Sequence, residues 1–249
     1  MKPKILIIDI ETSPAMGYFW SIFNTNIGIN QISKVGQVIC FAAKWLDEKK
    51  IYFYSDNKQT HKQVIKEAWK LLDEADAVVG YNSQSFDTKV LHKEFLLHGL
   101  PPPSPYKNID LIKTIKGKFR FISNKLDHVS RELEIGRKTS HNGFDLWQAC
   151  MNNDTKAWKI MERYNKQDVK LTEELYNKVK SWIVTPFNFN DHSIDAVCPN
   201  CNSKNLIRNG IYRSKTGVYQ KFKCNNCFSH SRSSKSIKEM RKDESIVRQ

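Results

Sequence analysis

The sequence predicts a layered α/β domain with a mixed sheet, followed by a small β module near its C-terminal end. Three observations carry this prediction. Short apolar runs of strand length open the chain. From residue 61 onward, apolar positions recur at helical spacing. Four of the six cysteines fall into two C-x-x-C pairs within the last quarter. At 249 residues and 40% hydrophobic content the chain can build a core, which excludes wholesale disorder and suits one main domain plus a small appendage.

The elements follow in order. Ile5-Leu6-Ile7-Ile8 is a continuous apolar run and reads as a strand buried on both faces. Val38-Ile39-Cys40-Phe41-Ala42-Ala43 and Ile51-Tyr52-Phe53-Tyr54 read as two more, joined by a hairpin-like turn at Asp47-Glu48-Lys49-Lys50. A helix is expected over 61–74, where Val64, Ile65, Ala68, Leu71 and Leu72 form one apolar face. Ala77-Val78-Val79-Gly80-Tyr81 is a fourth strand. Helices are expected over 87–98, 125–134 and 155–183. Asp154 caps the last, and Asn124 with Asp127 forms a cap-like pair for the one before it. The prolines at 101–103 and 105 mark a surface connection.

Formal net charge is +14, and its distribution is uneven. Residues 185–249 hold 12 Lys and Arg against 5 Asp and Glu, and residues 1–184 hold 28 against 21. A quarter of the chain thus carries half of the excess, which points to a polyanion partner such as nucleic acid. No run of about 18 apolar residues is present, so no membrane span is expected. Only four apolar residues separate Lys4 from Asp9, too few for a signal peptide, so a cytoplasmic location without disulfides is the expectation. The expected organisation is a main domain over 1–184, a linker over 185–194, a cysteine module over 195–231 and a basic mobile tail over 232–249.

Three groups of carboxylates stand in costly places. The first strand ends Asp9-Ile10-Glu11-Thr12, and strand alternation puts Asp9 and Glu11 on one face. Two like charges at the end of an apolar strand repel, and a divalent cation held by oxygen ligands, Mg²⁺ or Mn²⁺, would offset that. A strand that has simply surfaced would solvate both. Gly80-Tyr81-Asn82-Ser83-Gln84-Ser85-Phe86-Asp87 follows the fourth strand, and Asp87, which opens a helix, reads first as a cap when taken alone. In the long helix Tyr164 and Asp168 are four apart and share a face.

The ordered set D-I-E-T, G-Y-N-x-x-x-F-D and Y-x-x-x-D resembles the DEDD (DnaQ-like) 3′–5′ exonucleases, most closely the exonuclease domain of family B DNA polymerases, over roughly residues 1–180. Asn108-Ile109-Asp110-Leu111 and Lys125-Leu126-Asp127-His128-Val129-Ser130 are similar to connecting segments of such domains. The resemblance implies a ribonuclease H-like fold in which a mixed sheet is flanked by helices. It implies that Asp9, Glu11, Asp87 and Asp168 hold two Mg²⁺ or Mn²⁺ ions. Because Tyr164 lies four residues before Asp168, with Arg163 at the fifth, the tyrosine branch is indicated, and Tyr164 would orient the attacking water. Thr12, Asn82 and Phe86 match positions that contact the substrate strand, and Phe86 reads equally as a core residue. Phe19, Trp20 and Phe23 fall where the family carries a variable loop, and an apolar cluster packed on its own domain is the expectation there.

Cys198-Pro-Asn-Cys201 and Cys224-Asn-Asn-Cys227 are separated by 22 residues, and two such turns supply a tetrahedral Cys₄ site for one structural Zn²⁺. The intervening segments 206–208, 210–213 and 219–223 read as short strands, with turns at Asn209-Gly210 and Thr216-Gly217. The module resembles a zinc ribbon. Arg208, Arg213, Lys215, Lys221, Lys223 and Arg232 interleave with Tyr212, Tyr219 and Phe222, which suits nucleic acid, while recruitment of a protein partner is the alternative use. Cys40 and Cys150 read as buried thiols. The function expected is a metal-dependent 3′–5′ exonuclease, with DNA favoured over RNA. A structure-specific endonuclease and a non-catalytic binding protein on a nuclease scaffold are the alternatives, and the oligomeric state stays open.

Overall fold

The strand that carries Asp9 and Glu11 lies at the centre of a five-stranded mixed sheet. The computed structural model describes residues 3–23, 26–140, 142–183, 187–189, 196–214 and 217–237. Most of the expected linker 185–194, Lys215, Thr216 and residues 238–249 of the expected tail lie outside the described residues. The chain divides into two compact units, Lys4–Asn177 and a second that takes in the described residues from Lys178 onward.

In order, the elements are β1 (Ile5–Thr12), β2 (Met16–Gly17), β3 (Ile32–Lys34), β4 (Val38–Trp45), β5 (Ile51–Ser55), α1 (His61–Asp73), β6 (Ala77–Gly80), α2 (Asp87–Leu97), β7 (Lys107–Asp110), α3 (Leu111–Lys118), α4 (Leu126–Glu132), α5 (Phe144–Met151), α6 (Thr155–Val179), β8 (Leu206–Ser214), β9 (Gly217–Cys224) and β10 (His230–Arg232). The main sheet has the order β5-β4-β1-β6-β7. β4 runs antiparallel to β1 and β5 antiparallel to β4, whereas β6 and β7 run parallel to β1. Within this sheet β4 therefore runs against the other four strands.

Alternation along β1 sorts the core into two layers. Leu6, Ile8 and Ile10 face α1 and α2, packing with Phe41, Val64, Ile65, Leu72, Leu91 and Phe95. On the other face, Ile39 and Cys40 pack with Leu146 and Cys150 of α5 and with Trp158, Met161 and Tyr164 of α6. Asp9 and Glu11 belong to this second face, because they pair across β4 with Ala42 and Cys40. A buried ion pair, Lys44 Nζ to Glu173 Oε1 at 2.5 Å, ties β4 to α6.

The helix starts follow from local chemistry. Thr60 and Gln63 form a reciprocal capping box for α1. Asp154 Oδ1 accepts from the backbone N–H groups of Lys156 at 2.7 Å and Ala157 at 3.3 Å, as the sequence predicts for α6. The expected Asn124–Asp127 cap of α4 is not formed. Lys125 occupies the cap position without a side-chain bond, and Asp127 instead accepts from Lys138 N at 3.0 Å and pairs with Arg131. β7, α3 and α5 were not expected. Lys107-Asn108-Ile109-Asp110 has a single apolar residue, which an edge strand tolerates but an apolar-run criterion overlooks. The aromatic loop also departs from expectation: Tyr18, Trp20, Ile22 and Phe23 are exposed rather than packed on the domain.

In the second unit, β10-β9-β8 form a three-stranded antiparallel sheet. Asn209-Gly210 is a bulge within one continuous strand, not a turn, and Gly210 takes a φ of 75° there. Pairing extends past Ser231, since Ser233 N donates to Gln220 O at 2.9 Å and Ile237 N donates to Val218 O.

Candidate active site

The site begins where the sheet runs out. β6 pairs with Ile5, Leu6 and Ile7 of β1 and then ends at Gly80, so the later backbone of β1 loses its neighbour on that side. α2 starts there, and Asp87 takes over the vacated ladder position. Its Oδ1 accepts from Ile10 N at 3.1 Å in a buried bond. Asp87 is therefore no ordinary helix cap: its side chain is buried and fixed to β1. The loop that makes this turn is held by Asp110, whose carboxylate accepts from Asn82 N at 2.7 Å and Gln84 N at 3.2 Å. Asn82 has a φ of 65°, and its Oδ1 accepts from Ser85 Oγ at 2.7 Å, so it shapes the turn.

α6 supplies the opposite wall. Met161, Tyr164, Asn165, Asp168, Leu171 and Thr172 are buried at helical spacing against the sheet. Carboxylate oxygens of Asp9, Glu11 and Asp168 come together within 4.8 Å of one another. Three devices offset their repulsion. Asn165 Nδ2 donates to Asp9 Oδ2 at 2.6 Å and to Asp9 O at 3.1 Å. The Trp147 side chain hydrogen-bonds to Glu11. The Lys138 ammonium is ion-paired with Asp168 and lies 3.2 Å from the Tyr164 hydroxyl. Trp147 also meets the Tyr164 ring edge-on, at 6.0 Å between centroids.

Burial is the leading influence on these groups, followed by their neighbours. Desolvation, then Glu11, Asp87 and Asp168, hold the Asp9 carboxyl well above the usual carboxylate range. Burial and then Asp168 push Glu11 up to about 8. Burial raises Asp87 to about 6, against the hydrogen bond from Ile10. Burial alone would lower Lys138, but Asp168 and the neighbouring groups outweigh it and push it up. Tyr164 is raised by burial and by Asp168, so its phenol stays protonated at neutral pH.

This donor set fits a divalent ion. Its ligand atoms are all oxygen and they converge, and burial with neighbouring charge drives Asp9 and Glu11 towards protonation, which a dication would offset. The lysine ammonium among them marks the same preference. Of the other expected contacts, Thr12 ends β1 half-buried. Phe86 is exposed, which removes the core alternative for its ring. Sequence reasoning missed Lys138, Asn165, Trp147 and Asp110. Asn165 was detectable, because a polar residue three before Asp168 falls on the apolar face of α6. Lys138 lies in a loop, where no periodicity marks it.

The four paired cysteines also converge, with Sγ atoms within 4.8 Å of one another. The two segments fold alike. Cys198 N donates to Ser203 O at 2.8 Å and Cys224 N to Ser229 O at 3.0 Å. Asn202 N returns to Cys198 O and Phe228 N to Cys224 O, both at 2.9 Å, with φ near 60° at each of these two residues. Burial raises Cys201 to about 12. Cys227 is lowered to about 6, because hydrogen bonds from Ser229 and Asn200 outweigh its burial.

A mixed sheet flanked by helices, with an acidic centre at the end of its middle strand, defines a nuclease-type α/β domain. The RNase H superfamily model RNase_H_2 matches residues 28–180, more than half of the chain. The chain belongs to the RNase H superfamily, whose members are nucleic-acid-processing nucleases. The matched span includes Asp87, Tyr164 and Asp168 and begins after Asp9 and Glu11. Among solved structures, the family B DNA polymerase from the hyperthermophilic archaeon Pyrobaculum calidifontis is similar, with a TM-score of 0.55 and 21% identity over 72% of this chain. The chain spans a quarter of that polymerase's length. A search of curated proteins finds no match. Among the described residues, no helix is long and apolar enough to cross a membrane.

Proposed function

We propose that the chain is a metal-dependent 3′–5′ exonuclease that acts on DNA in preference to RNA. The observation that carries this is the convergence of Asp9, Glu11 and Asp168, with Tyr164 beside them and Asp87 fixed to the same strand. Asp9, Glu11, Asp87 and Asp168 would hold two Mg²⁺ or Mn²⁺ ions, which when bound supply a hydroxide-like nucleophile and neutralise the leaving 3′ oxygen. Asn165 fixes the rotamer of Asp9, and Trp147 that of Glu11. Lys138 positions the Tyr164 hydroxyl, which stays protonated and orients the attacking water by hydrogen bonding. Phe86 offers an exposed ring on which a terminal base can stack, and Thr12 and Asn82 would be further strand contacts. The fold likeness to a DNA polymerase supports DNA as substrate.

In the C-terminal module we assign Cys198, Cys201, Cys224 and Cys227 to one structural Zn²⁺. Arg232 lies over the Tyr219 ring at 4.1 Å, with Arg208, Arg213, Lys221 and Lys223 on the same sheet, a basic surface that suits phosphate. The test is digestion of 5′-labelled single-stranded DNA and RNA of matched sequence, with free or blocked 3′ ends. Wild type with Mg²⁺ or Mn²⁺ should give a ladder of shortened DNA from free ends, and Asp9→Ala/Asp168→Ala should give none. An unchanged ladder in that variant, or cleavage that persists on blocked ends, overturns the proposal.

A further inference from the structure

A third cluster of metal-ligating side chains sits on the other face of the sheet and shares no residue with the acidic centre or the cysteine cluster. His61 opens α1, Glu94 lies on α2, and His98 caps the end of α2. Glu94 is only 3% exposed, although it carries a carboxylate. Both imidazoles aim a nitrogen at the same oxygen: His61 Nε2 is 3.3 Å from Glu94 Oε2, and His98 Nε2 is 4.0 Å from it. The two rings are 5.2 Å apart and inclined at 53°. The three donor atoms lie within 4.8 Å of one another.

Two further observations point to a metal ion rather than a simple ion pair. The far nitrogen of His61, Nδ1, lies 3.2 Å from each oxygen of Asp56. Asp56 is itself held by Gln37 Nε2 at 3.2 Å. A carboxylate bonded to one ring nitrogen fixes the tautomer and aims the lone pair of the other, the usual support of a metal-bound histidine. The spacing also fits. Zinc bonds of about 2.0–2.1 Å in tetrahedral geometry place neighbouring ligand atoms about 3.3 Å apart. His61 and Glu94 already stand at that separation. His98, at the helix end and a quarter exposed, stands 4.0 Å from the same oxygen and needs to close on it by about 0.7 Å. The second oxygen of Glu94 faces Lys93 Nζ at 3.1 Å, which leaves Oε2 for one-oxygen coordination.

We propose that His61, Glu94 and His98 bind a transition-metal dication of the zinc class, with Asp56 as the positioning residue for His61 and water in the fourth place. The two-histidine, one-carboxylate set selects zinc and its neighbours over Mg²⁺. The ion clasps the start of α1 to the end of α2.

The test uses the full chain with Mg²⁺ in large excess to fill the acidic centre, titrated with Zn²⁺ alone. Bound zinc per chain and the thermal midpoint are recorded for wild type, His98→Gln, Asp56→Asn and Cys201→Ser. Wild type should bind one more zinc than His98→Gln, and its zinc-induced rise in midpoint should shrink in that variant. Asp56→Asn keeps every ligand and should hold the same ion about 10- to 100-fold more weakly. Cys201→Ser removes zinc from the cysteine cluster and should leave the difference made by His98 intact. Equal zinc content and affinity in wild type and His98→Gln overturns the proposal. So do His61 and His98 ring resonances that titrate at the same pH with and without zinc, which would mark a plain ion pair to Glu94.

Discussion

Without divalent ions, the protein should lose stability as pH rises through neutrality, and Glu11→Gln should remove much of that loss. Glu11 titrates near 4.5 when unfolded and at about 8 in the fold, through burial and Asp168. A raised carboxyl means that the native state binds the extra proton. Its contribution is fully present below about 4.5 and is lost as pH climbs through about 8. At about 1.4 kcal/mol per tenfold, the interval corresponds to on the order of 5 kcal/mol. Glu11 keeps partial contact with solvent, which lowers the expected loss to about 2–4 kcal/mol. The assay is urea unfolding at pH 5, 6.5 and 8 in metal-stripped buffer. Trp45, Trp69, Trp147 and Trp158 report on the unit Lys4–Asn177. Wild type should weaken steadily across this series and Glu11→Gln less steeply, because Asp9 and Asp87 still titrate above their ordinary range. Groups remote from the acidic centre are common to both proteins, so the difference in slope reports Glu11 together with the relief it gives Asp9. Adding Mg²⁺ should reverse the wild-type trend, because only the ionised carboxylate binds the ion. Parallel slopes for the two proteins from pH 5 to 8 would refute the reasoning.

Three further outcomes follow from single contacts. Lys138→Met leaves Asp168, 2% exposed, without its ammonium. It should cost about 2–3 kcal/mol in metal-free urea unfolding, with most of the deficit recovered in Mg²⁺. Gly80→Ala places a Cβ 2.4 Å from the buried Cβ of Ser83. It should lower stability by about 1–3 kcal/mol and disturb the turn that delivers Asp87, seen as a lower melting temperature together with weaker Mg²⁺ binding. Cys201→Ser should abolish amide protection across β8, β9 and β10 in hydrogen exchange, while protection in Lys4–Asn177 is unchanged.

What could be read in advance divides along physical lines. The strands at Ile5, Val38 and Ala77 were legible because a central strand must be apolar on both faces, and burial leaves that mark in the residues themselves. β7 was not, because an edge strand paired on one side can be written with Lys107, Asn108 and Asp110. The acidic residues were legible as an ordered set on recognisable elements. Their supports were not: Lys138 reaches Asp168 from a loop 30 positions away, and Trp147 approaches Glu11 from a short helix that the sequence does not announce. Asp110 illustrates the same limit. Its three backbone bonds, to Asn82, Gln84 and Ile112, arise only once β7 is seated beside β6.

The acidic centre and the cysteine cluster differ in what they ask of their surroundings. The acidic centre is built into a unit with two apolar layers, and its repulsion is already met by Asn165, Lys138 and the N–H of Ile10. That unit can therefore fold first, and the proposed ions would bind afterwards, with Lys138 giving up part of its hold on Asp168. The cysteine module has no such reserve. β8 is almost wholly exposed along its length, and Cys198 and Cys224 are among the few side chains buried there. Cysteines that form the interior of so small a sheet stabilise it only when a cation draws the four sulfurs together, so the proposed zinc would act there as core. On the proposed assignments metal would thus play opposite parts in one chain: a ligand added to a finished fold in the first unit, and in the second a structural component on which β8–β10 would depend.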